Sequence, residues 1–211
     1  MGRIEIKKLV LGSVSTNCYI VSNKETKEAV VIDPADNATR IRDELMTNGF
    51  TLKAILLTHG HFDHILAVEE LVRTFSVPVY CHEDEQVVLG DPCMNLSPML
   101  AGFDYTIAAS NLVKDDEVLE LIGEKIQVLA TPGHTRGGVC YYFMQEDCMF
   151  VGDTIFMESI GRTDFPTGNM LTLIKSIQEK IYVLDSNIKL YPGHGPATSI
   201  GYEKENNPYT L

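Results

Sequence analysis

Four side chains that can act as metal ligands lie close together in one short segment of the sequence. Residues 58–64, T-H-G-H-F-D-H, directly follow the apolar run A-I-L-L at 54–57, which is typical of a buried strand. Alternate residues of an extended chain point the same way, so His59 and His61 can bind one ion together. Asp63 and His64 follow where the chain turns into a helix, and their side chains can face a second ion.

Three further segments repeat this arrangement, in which an apolar strand ends in a tight turn that carries a metal-binding residue. They are T-P-G-H at 131–134, V-G-D at 151–153 and Y-P-G-H at 191–194. Each of them alone is an ordinary surface turn. Together with the first segment they contain five of the six histidines, which favours one shared site. The sixth, His82, lies in no such motif and is predicted to end a strand or cap a helix.

The number of ligands predicts a site for two divalent ions. One ion would be held by three histidines, His59, His61 and His134. The other would be held by Asp63, His64 and His194, and Asp153 would bridge the two ions. Two ions about 3.5–4 Å apart can share a water and lower its pKa towards about 7. Zinc is the first expectation, because catalytic zinc prefers imidazole and carboxylate ligands. Iron and manganese accept the same ligands.

The elements around these motifs predict an α/β layered fold. In the first half, strands at 29–32, 54–57 and 77–81 alternate with helices at 36–46 and 65–75. The second half is richer in strands, at 117–121, 125–130, 139–144, 149–152 and 188–191, with a helix at 170–182. The Pro- and Gly-containing segment 91–105 predicts an irregular loop or lid. Since no linker composition interrupts the chain, we expect a single domain over residues 1–211, with two β-rich layers and helices outside.

Composition excludes several classes of function. The formal net charge of -12, with no stripe of Lys or Arg, argues against nucleic acid as a partner. No apolar run reaches the roughly 18 residues of a membrane helix, and the N-terminus lacks the apolar region of a secretory signal. We therefore expect a cytoplasmic protein with no membrane partner. Five cysteines without a C-x-x-C pair are typical of reduced thiols.

These motifs resemble the metallo-β-lactamase superfamily and, within it, the glyoxalase II-like hydrolases. The resemblance runs from T-N-C-Y at 16–19 and V-I-D-P at 31–34, through the four ligand segments, to G-R-T-D-F at 161–165 and E-K-E-N-N-P-Y at 203–209. It implies a four-layer αββα sandwich with two metal ions at one edge, between the two sheets.

The resemblance also implies an activity, the hydrolysis of a small-molecule thioester such as S-lactoylglutathione by attack of a metal-bound hydroxide. Asp63 would then be a catalytic residue that orients the hydroxide as well as a metal ligand. Asp33 either fixes a ligand histidine from outside the ligand set or is simply the turn residue before Pro34. Arg162 either binds an anionic substrate group or braces its loop by pairing with Asp164.

Two other functions stay open on the sequence. The segment 161–165 also resembles the persulfide dioxygenases of the superfamily, which hold a single iron. A non-catalytic metal-binding protein is the other alternative, although structural zinc sites are usually closed and rich in thiolate ligands. An antibiotic-degrading role is disfavoured because Asp153 stands where several β-lactamases use cysteine. Full-length glyoxalase II enzymes have a C-terminal helical domain that binds glutathione, whereas this sequence ends shortly after His194 with Lys204 as the sole basic residue there.

Overall fold

Two six-stranded sheets form the centre of the computed structural model, which describes residues 2–210. The first sheet contains, in both spatial and chain order, β1 (Ile4–Leu11), β2 (Thr16–Asn23), β3 (Glu28–Ile32), β4 (Thr51–Leu56), β5 (Val79–His82) and β6 (Asn111–Val113). β1 to β3 pair antiparallel, whereas β3 to β6 pair parallel. Parallel pairing places the C-terminal ends of β3 and β4 at the same edge of the sheet.

The second sheet is built from the later part of the chain. Its strands are β7 (Val118–Leu121), β8 (Glu124–Ala130), β9 (Val139–Phe143), β10 (Cys148–Gly152), β13 (Lys189–Pro192) and β14 (Thr198–Ser199), and a separate hairpin consists of β11 (Ile155–Phe156) and β12 (Ser159–Ile160). The spatial order is β14-β13-β10-β9-β8-β7. β10 and β13 are parallel neighbours, so their C-terminal ends also lie side by side.

Short helices connect the strands. They are α1 (Ala38–Thr47), α2 (Phe62–Ile65), α3 (Val68–Phe75), α4 (Gln86–Gly90), α5 (Pro92–Asn95), α6 (Met170–Ser176) and α7 (Ile200–Asn206), with a 3-10 turn at Glu83–Glu85 and π-helical turns at Ser97–Ala101 and Ile177–Ile181. Among the described residues, no helix has the length and apolar character needed to cross a membrane.

Three apolar clusters show how these elements form layers. Residues such as Val30, Tyr141 and Phe150 pack between the two sheets. A second cluster joins the outer face of the first sheet to α1 and α3, and a third joins the outer face of the second sheet to α6 and α7. Helices therefore cover both outer faces, and the predicted four-layer αββα sandwich is confirmed.

Three differences between the local structure and the sequence prediction concern helices. The helix predicted at 65–75 is interrupted before Val68, because the Ala67 backbone N–H donates to Pro34 O instead of continuing a helical bond. Segment 91–105 is not fully irregular, since Asp91 Oδ1 accepts the Cys93 N–H and begins α5. The helix predicted at 170–182 changes to π-helical pairing after Ser176.

Candidate metal centre

The ends of five strands meet at one edge of the sandwich and bring the predicted ligands together. β3 and β4 of the first sheet lead into Asp33 and the segment 58–64, and β8, β10 and β13 of the second sheet lead into the other turns. The turns that follow the strands of the second sheet carry His134, Asp153 and His194. Every predicted ligand therefore lies at this one edge, between the two sheets.

The three-histidine group consists of His59, His61 and His134, all of them buried. One nitrogen from each ring lies within 4.8 Å of the others. His61 Nδ1 and His134 Nε2 approach to 2.9 Å. His134 Nδ1 donates to Arg162 O at 2.7 Å, which leaves Nε2 as the atom with a free lone pair. One ring nitrogen of each histidine therefore lies near a common point.

The second group consists of Asp63, His64 and His194. Asp63 Oδ2 lies 3.3 Å from His194 Nε2 and 3.5 Å from His64 Nε2. Asp153 lies between the two groups: its Oδ1 is 3.5 Å from His64 Nε2, and its Oδ2 is 3.6 Å from His134 Nε2. Its Oδ2 also lies 3.5 Å from His194 Nε2, so the carboxylate of Asp153 faces one ring of the first group and two of the second, as a ligand shared by two ions would.

Asp33 sets the orientation of two of these rings. Its Oδ2 lies 3.0 Å from His64 Nδ1 and accepts the Thr58 hydroxyl at 2.6 Å, while its Oδ1 accepts the Thr58 N–H at 2.8 Å. Because the Thr58 hydroxyl proton points at Asp33, its oxygen accepts from His59 Nδ1 at 3.2 Å. Both His59 and His64 therefore direct Nε2 into the cluster.

The pKa values of the site follow from burial and from the neighbouring charges. Burial, followed by the charge of His64, lowers the pKa of His59 well below 6.5, so that ring is neutral at pH 7. Burial also lowers the pKa of His64, but Asp63 and Asp153 raise it by more, to about 10. Burial raises the pKa of Asp63, and His64 and His194 lower it by more, which keeps this carboxyl ionised at neutral pH.

Several polar atoms in the cluster are buried without a hydrogen-bond partner among the described residues. They include His59 Nε2, His64 Nε2 and Asp153 Oδ1. Leaving such atoms unpaired costs free energy unless something else binds them. Imidazole and carboxylate ligands in this number suit divalent transition-metal ions, and the residues present therefore fit two such ions.

A cavity of about 170 Å³ opens directly over the cluster. Its walls combine ligand side chains with apolar side chains and one arginine: His61, Asp63, His134, Asp153 and His194; Val14, Phe62, Leu96, Leu100 and Phe165; Arg162. A larger cavity, of about 460 Å³, lies at the opposite ends of β10 and β13 and contains none of the predicted ligands. Of these two cavities, only the first combines the candidate metal ligands with space for a small ligand.

Arg162 and Asp164 form an exposed pair at the rim of the site. Arg162 Nε and Nη2 donate to the two carboxylate oxygens of Asp164 at 2.8 and 2.7 Å, and the guanidinium lies 3.7 Å from the ring centre of Phe165. This pairing is the one expected if Arg162 braces its own loop, although the Arg162 side chain also lines the cavity. His82 ends β5, and its Nδ1 accepts the Asp84 N–H, as a capping residue does.

Three polar residues close to the ligands were not predicted from the sequence. Thr16 donates its hydroxyl to Asp63 Oδ2 at 2.8 Å, and Thr58 links His59 to Asp33. Glu85 is fully buried beside the two loops that carry His61 and His134. The threonines lie within the motifs T-N-C-Y and T-H-G-H-F-D-H, but Glu85 belongs to an acidic run that has no distinguishing pattern.

Converging histidines and aspartates at the edge of an αββα sandwich define a metal-binding protein of the metallohydrolase type. The chain belongs to the metallo-beta-lactamase superfamily, whose sequence profile matches residues 11–194. This assignment confirms the superfamily that the motifs predicted.

Comparisons with individual proteins agree with this assignment. The chain is 36% identical over 204 residues to the probable metallo-hydrolase YqgX of Bacillus subtilis, covering 96% of each chain. It is 33% identical over 208 residues to the hydroxyacylglutathione hydrolase GloC of Haemophilus influenzae, covering 98% of each chain. The crystal structure of the BLEG-1 B3 metallo-beta-lactamase is similar with a TM-score of 0.94 and 41% identity, covering 98% of this chain and 100% of that one. The family and these relatives support a metal-dependent hydrolase.

Proposed function

We propose that this protein hydrolyses thioesters of small molecules, with S-lactoylglutathione as the first substrate to test, and that it does so with two divalent ions. The observation that carries the proposal is Asp153, whose two carboxylate oxygens face a ring of each histidine group at 3.5 and 3.6 Å below an open cavity. The likeness to GloC, a hydroxyacylglutathione hydrolase by name, supports a thioester as the substrate.

The ligands divide between the ions as the two groups divide in space. His59, His61 and His134 would hold one ion, and Asp63, His64 and His194 the other. When bound, such ions polarise a carbonyl oxygen and lower the pKa of a bound water towards about 7. Zinc is the first choice, and iron or manganese is compatible with the same ligand types.

The residues of this chain orient the reactants. The ionised Asp63 carboxylate, fixed by the Thr16 hydroxyl, lines the cavity and can accept a hydrogen bond from a water there. Asp33 holds the His64 ring in the orientation in which its Nε2 faces the cluster. These groups are fixed before substrate arrives, which lowers the cost of reorganisation in the transition state.

The size and lining of the cavity restrict the substrate. At about 170 Å³ the cavity is smaller than the ~300–1,000 Å³ of pockets that enclose a drug-sized ligand. It therefore accommodates the acyl end of a thioester, while the thiol portion extends past the rim at Arg162. The buried apolar walls formed by Phe62 and Leu96 limit the access of bulk water to the reacting carbonyl.

The test is steady-state hydrolysis of S-lactoylglutathione by protein loaded with zinc or, separately, with iron. His59→Ala is the metal-site variant, and His82→Asn is the matched control, because it also removes a histidine but keeps a side chain that can cap the turn at Glu83. We expect turnover that His59→Ala abolishes and His82→Asn retains.

Two further assays define the alternatives. Hydrolysis of a chromogenic β-lactam tests the activity named for BLEG-1, and oxygen uptake with a persulfide and the iron-loaded protein tests the dioxygenase. Turnover in either assay without any thioester hydrolysis would overturn the proposal. The absence of all three activities in fully loaded protein would leave a non-catalytic metal-binding protein as the function.

A further inference from the structure

A buried carboxylate outside the predicted ligand set connects two of the ligand-bearing loops. Glu85 lies in the 3-10 turn after β5, and its side chain is completely buried. Its Oε1 accepts the Gly60 N–H at 2.7 Å. Its Oε2 accepts the Thr135 hydroxyl at 3.0 Å and the Gly137 N–H at 2.8 Å. One carboxylate thus satisfies three donors from two separate segments of the chain.

The positions of these donors relate Glu85 to the three-histidine group. Gly60 stands between His59 and His61 in the sequence, and Thr135 directly follows His134. The hydrogen bonds therefore fix the backbones that carry the rings, without contributing an atom to the ligand set. Within this group, the ring nitrogens of His61 and His134 are only 2.9 Å apart, so a small shift of either loop changes how well they can share an ion.

Close backbone packing brings the turn against both loops. A Cβ on Gly137 would lie 2.4 Å from the Glu85 backbone nitrogen, so only glycine permits this approach. A Cβ on Gly60 would lie 3.0 Å from Leu89 Cδ2 and 3.3 Å from Glu85 Oε1. Two glycines therefore make room for the segment from which Glu85 reaches the loops.

We propose that Glu85 is a positioning residue for the three-histidine ion site, acting through the loops of His61 and His134 and not on the group of Asp63, His64 and His194. The inference rests on the proposed binding of metal by these histidines, and it does not depend on which substrate is hydrolysed. Asp33 and Glu85 then have complementary roles: Asp33 orients imidazole rings directly, and Glu85 fixes the spacing of backbones.

Replacing Glu85 with glutamine gives a specific chemical change. The amide has one acceptor oxygen, and its NH₂ group faces either the Gly60 N–H or the donors of Thr135 and Gly137. The Thr135 hydroxyl can rotate to accept, but a backbone N–H cannot. At least one loop N–H therefore loses its acceptor, and the loop moves relative to the other.

The experiment is titration of the metal-free protein with cobalt(II), followed by the visible absorption of the ion and by its stoichiometry. Glu203→Gln is the matched control, because Glu203 is equally buried and also accepts three hydrogen bonds, from Thr198, Glu158 and Asn207, but touches neither ligand loop. Thermal unfolding of each metal-free variant measures the general loss of stability.

We expect Glu85→Gln to weaken one of the two cobalt-binding steps by about 10–100-fold and to leave the other unchanged, as is typical for partners that orient ligands. Glu203→Gln should leave both steps unchanged even if it lowers the melting temperature. Unchanged cobalt binding in Glu85→Gln, or an equal loss at both steps, would overturn the inference.

A second variant covers the case in which Glu85→Gln does not fold. Thr135→Val keeps the shape of the side chain and removes one of the three donors, so it should weaken the same binding step to a smaller extent. Cobalt binding by Thr135→Val identical to that of the wild-type protein would then contradict the role of this network. Failure of thioester hydrolysis in the wild-type protein leaves the cobalt result valid, so the two proposals fail separately.

Discussion

Asp33 Oδ2 lies 3.0 Å from His64 Nδ1, and both side chains are buried. The same oxygen accepts the Thr58 hydroxyl, whose oxygen faces His59 Nδ1. A single carboxylate outside the predicted ligand set thereby orients one ring of each histidine group. The left-handed backbone of Asp33, at φ 49°, places this side chain where β3 ends.

Substitution of this carboxylate should weaken metal binding. In Asp33→Asn the amide keeps one acceptor oxygen, which cannot serve Thr58 and His64 as the carboxylate does. We expect a loss of metal affinity or activity of about 10–100-fold. Metal content after dialysis against a weak chelator measures the effect. Asp43→Asn, at an exposed position, is the control, and equal metal retention in the two variants would contradict the role of Asp33.

A methyl group at Gly193 should disrupt the cluster from its backbone side. A Cβ there would lie 2.2 Å from Asp153 Oδ1 and 2.6 Å from His64 Cε1, so both side chains would have to move. We expect Gly193→Ala to lose most of its activity and bound metal. Gly90→Ala is the matched control, since no described atom lies within 4 Å of its Cβ. Full activity in Gly193→Ala would contradict this prediction, because it would show that the Asp153 and His64 side chains can move without loss of activity.

Removal of the ions should lower the melting temperature. A ligand present at 100 times its dissociation constant stabilises a fold by about 2.7 kcal/mol, and for 150–250 residues about 1 kcal/mol corresponds to roughly 2–4 °C. Chelation should therefore lower the melting temperature by roughly 5–10 °C, and added zinc should restore it. His59→Ala should show a smaller difference, whereas His82→Asn should behave as the wild-type protein. An identical melting curve with and without chelator is the contrary result.

The five thiols should differ sharply in reactivity. Cys93 is exposed, whereas Cys18, Cys81, Cys140 and Cys148 are buried. Burial raises the pKa of Cys140 to about 11 and that of Cys148 to about 12, so little reactive thiolate forms. One thiol should react quickly with a disulfide reagent in the folded protein and five in denaturant. Cys93→Ser should remove the fast reaction. A second fast-reacting thiol would contradict the burial of the other four cysteines.

The stability of the metal-free protein should carry a pH dependence from Glu85. Burial raises the pKa of this carboxyl from 4.5 to about 7, despite the donors from Gly60 and Thr135. Between these values the folded chain holds a proton that the unfolded chain has lost, so stability falls as the pH rises through this window. The free energy of unfolding of the wild-type protein, measured relative to that of Glu85→Gln, should decrease between pH 4.5 and 7 and stay constant above pH 7. Urea unfolding at several pH values measures it, and a constant difference would indicate that Glu85 is ionised throughout.

The convergence of the candidate ligands at one edge could be anticipated from the sequence, because three of them follow an apolar strand whose end is marked by a glycine. His134 and His194 illustrate this, since both follow Pro-Gly after a strand. Supporting residues are a different case. Glu85 lies in an acidic run whose composition is typical of a solvated surface. Its burial becomes evident only in the fold, where Gly60 and Gly137 pack against its turn. Such contacts join residues distant in sequence and leave no local pattern.

Helix boundaries were predicted less accurately for a related reason. The apolar periodicity of residues 65–75 is helical, but Pro34, from a different strand end, accepts the Ala67 N–H and interrupts the helix. The π-helical turns at Ser97–Ala101 and Ile177–Ile181 were likewise not predicted from the sequence. Periodicity predicts the type of an element, whereas its ends depend on partners that the local sequence does not contain.

The position of the cluster between two sheets makes it a junction between the two halves of the chain. His59 and His64 follow a strand of the first sheet, and His134 and His194 follow strands of the second. The Tyr141 hydroxyl, which donates to Leu57 O at 2.9 Å, joins the same two sheets. An ion held here acts as a non-covalent cross-link across the sandwich, so metal affinity and the docking of the sheets are thermodynamically coupled. A substitution that loosens the apolar interface far from the cluster should therefore also weaken its hold on the ions.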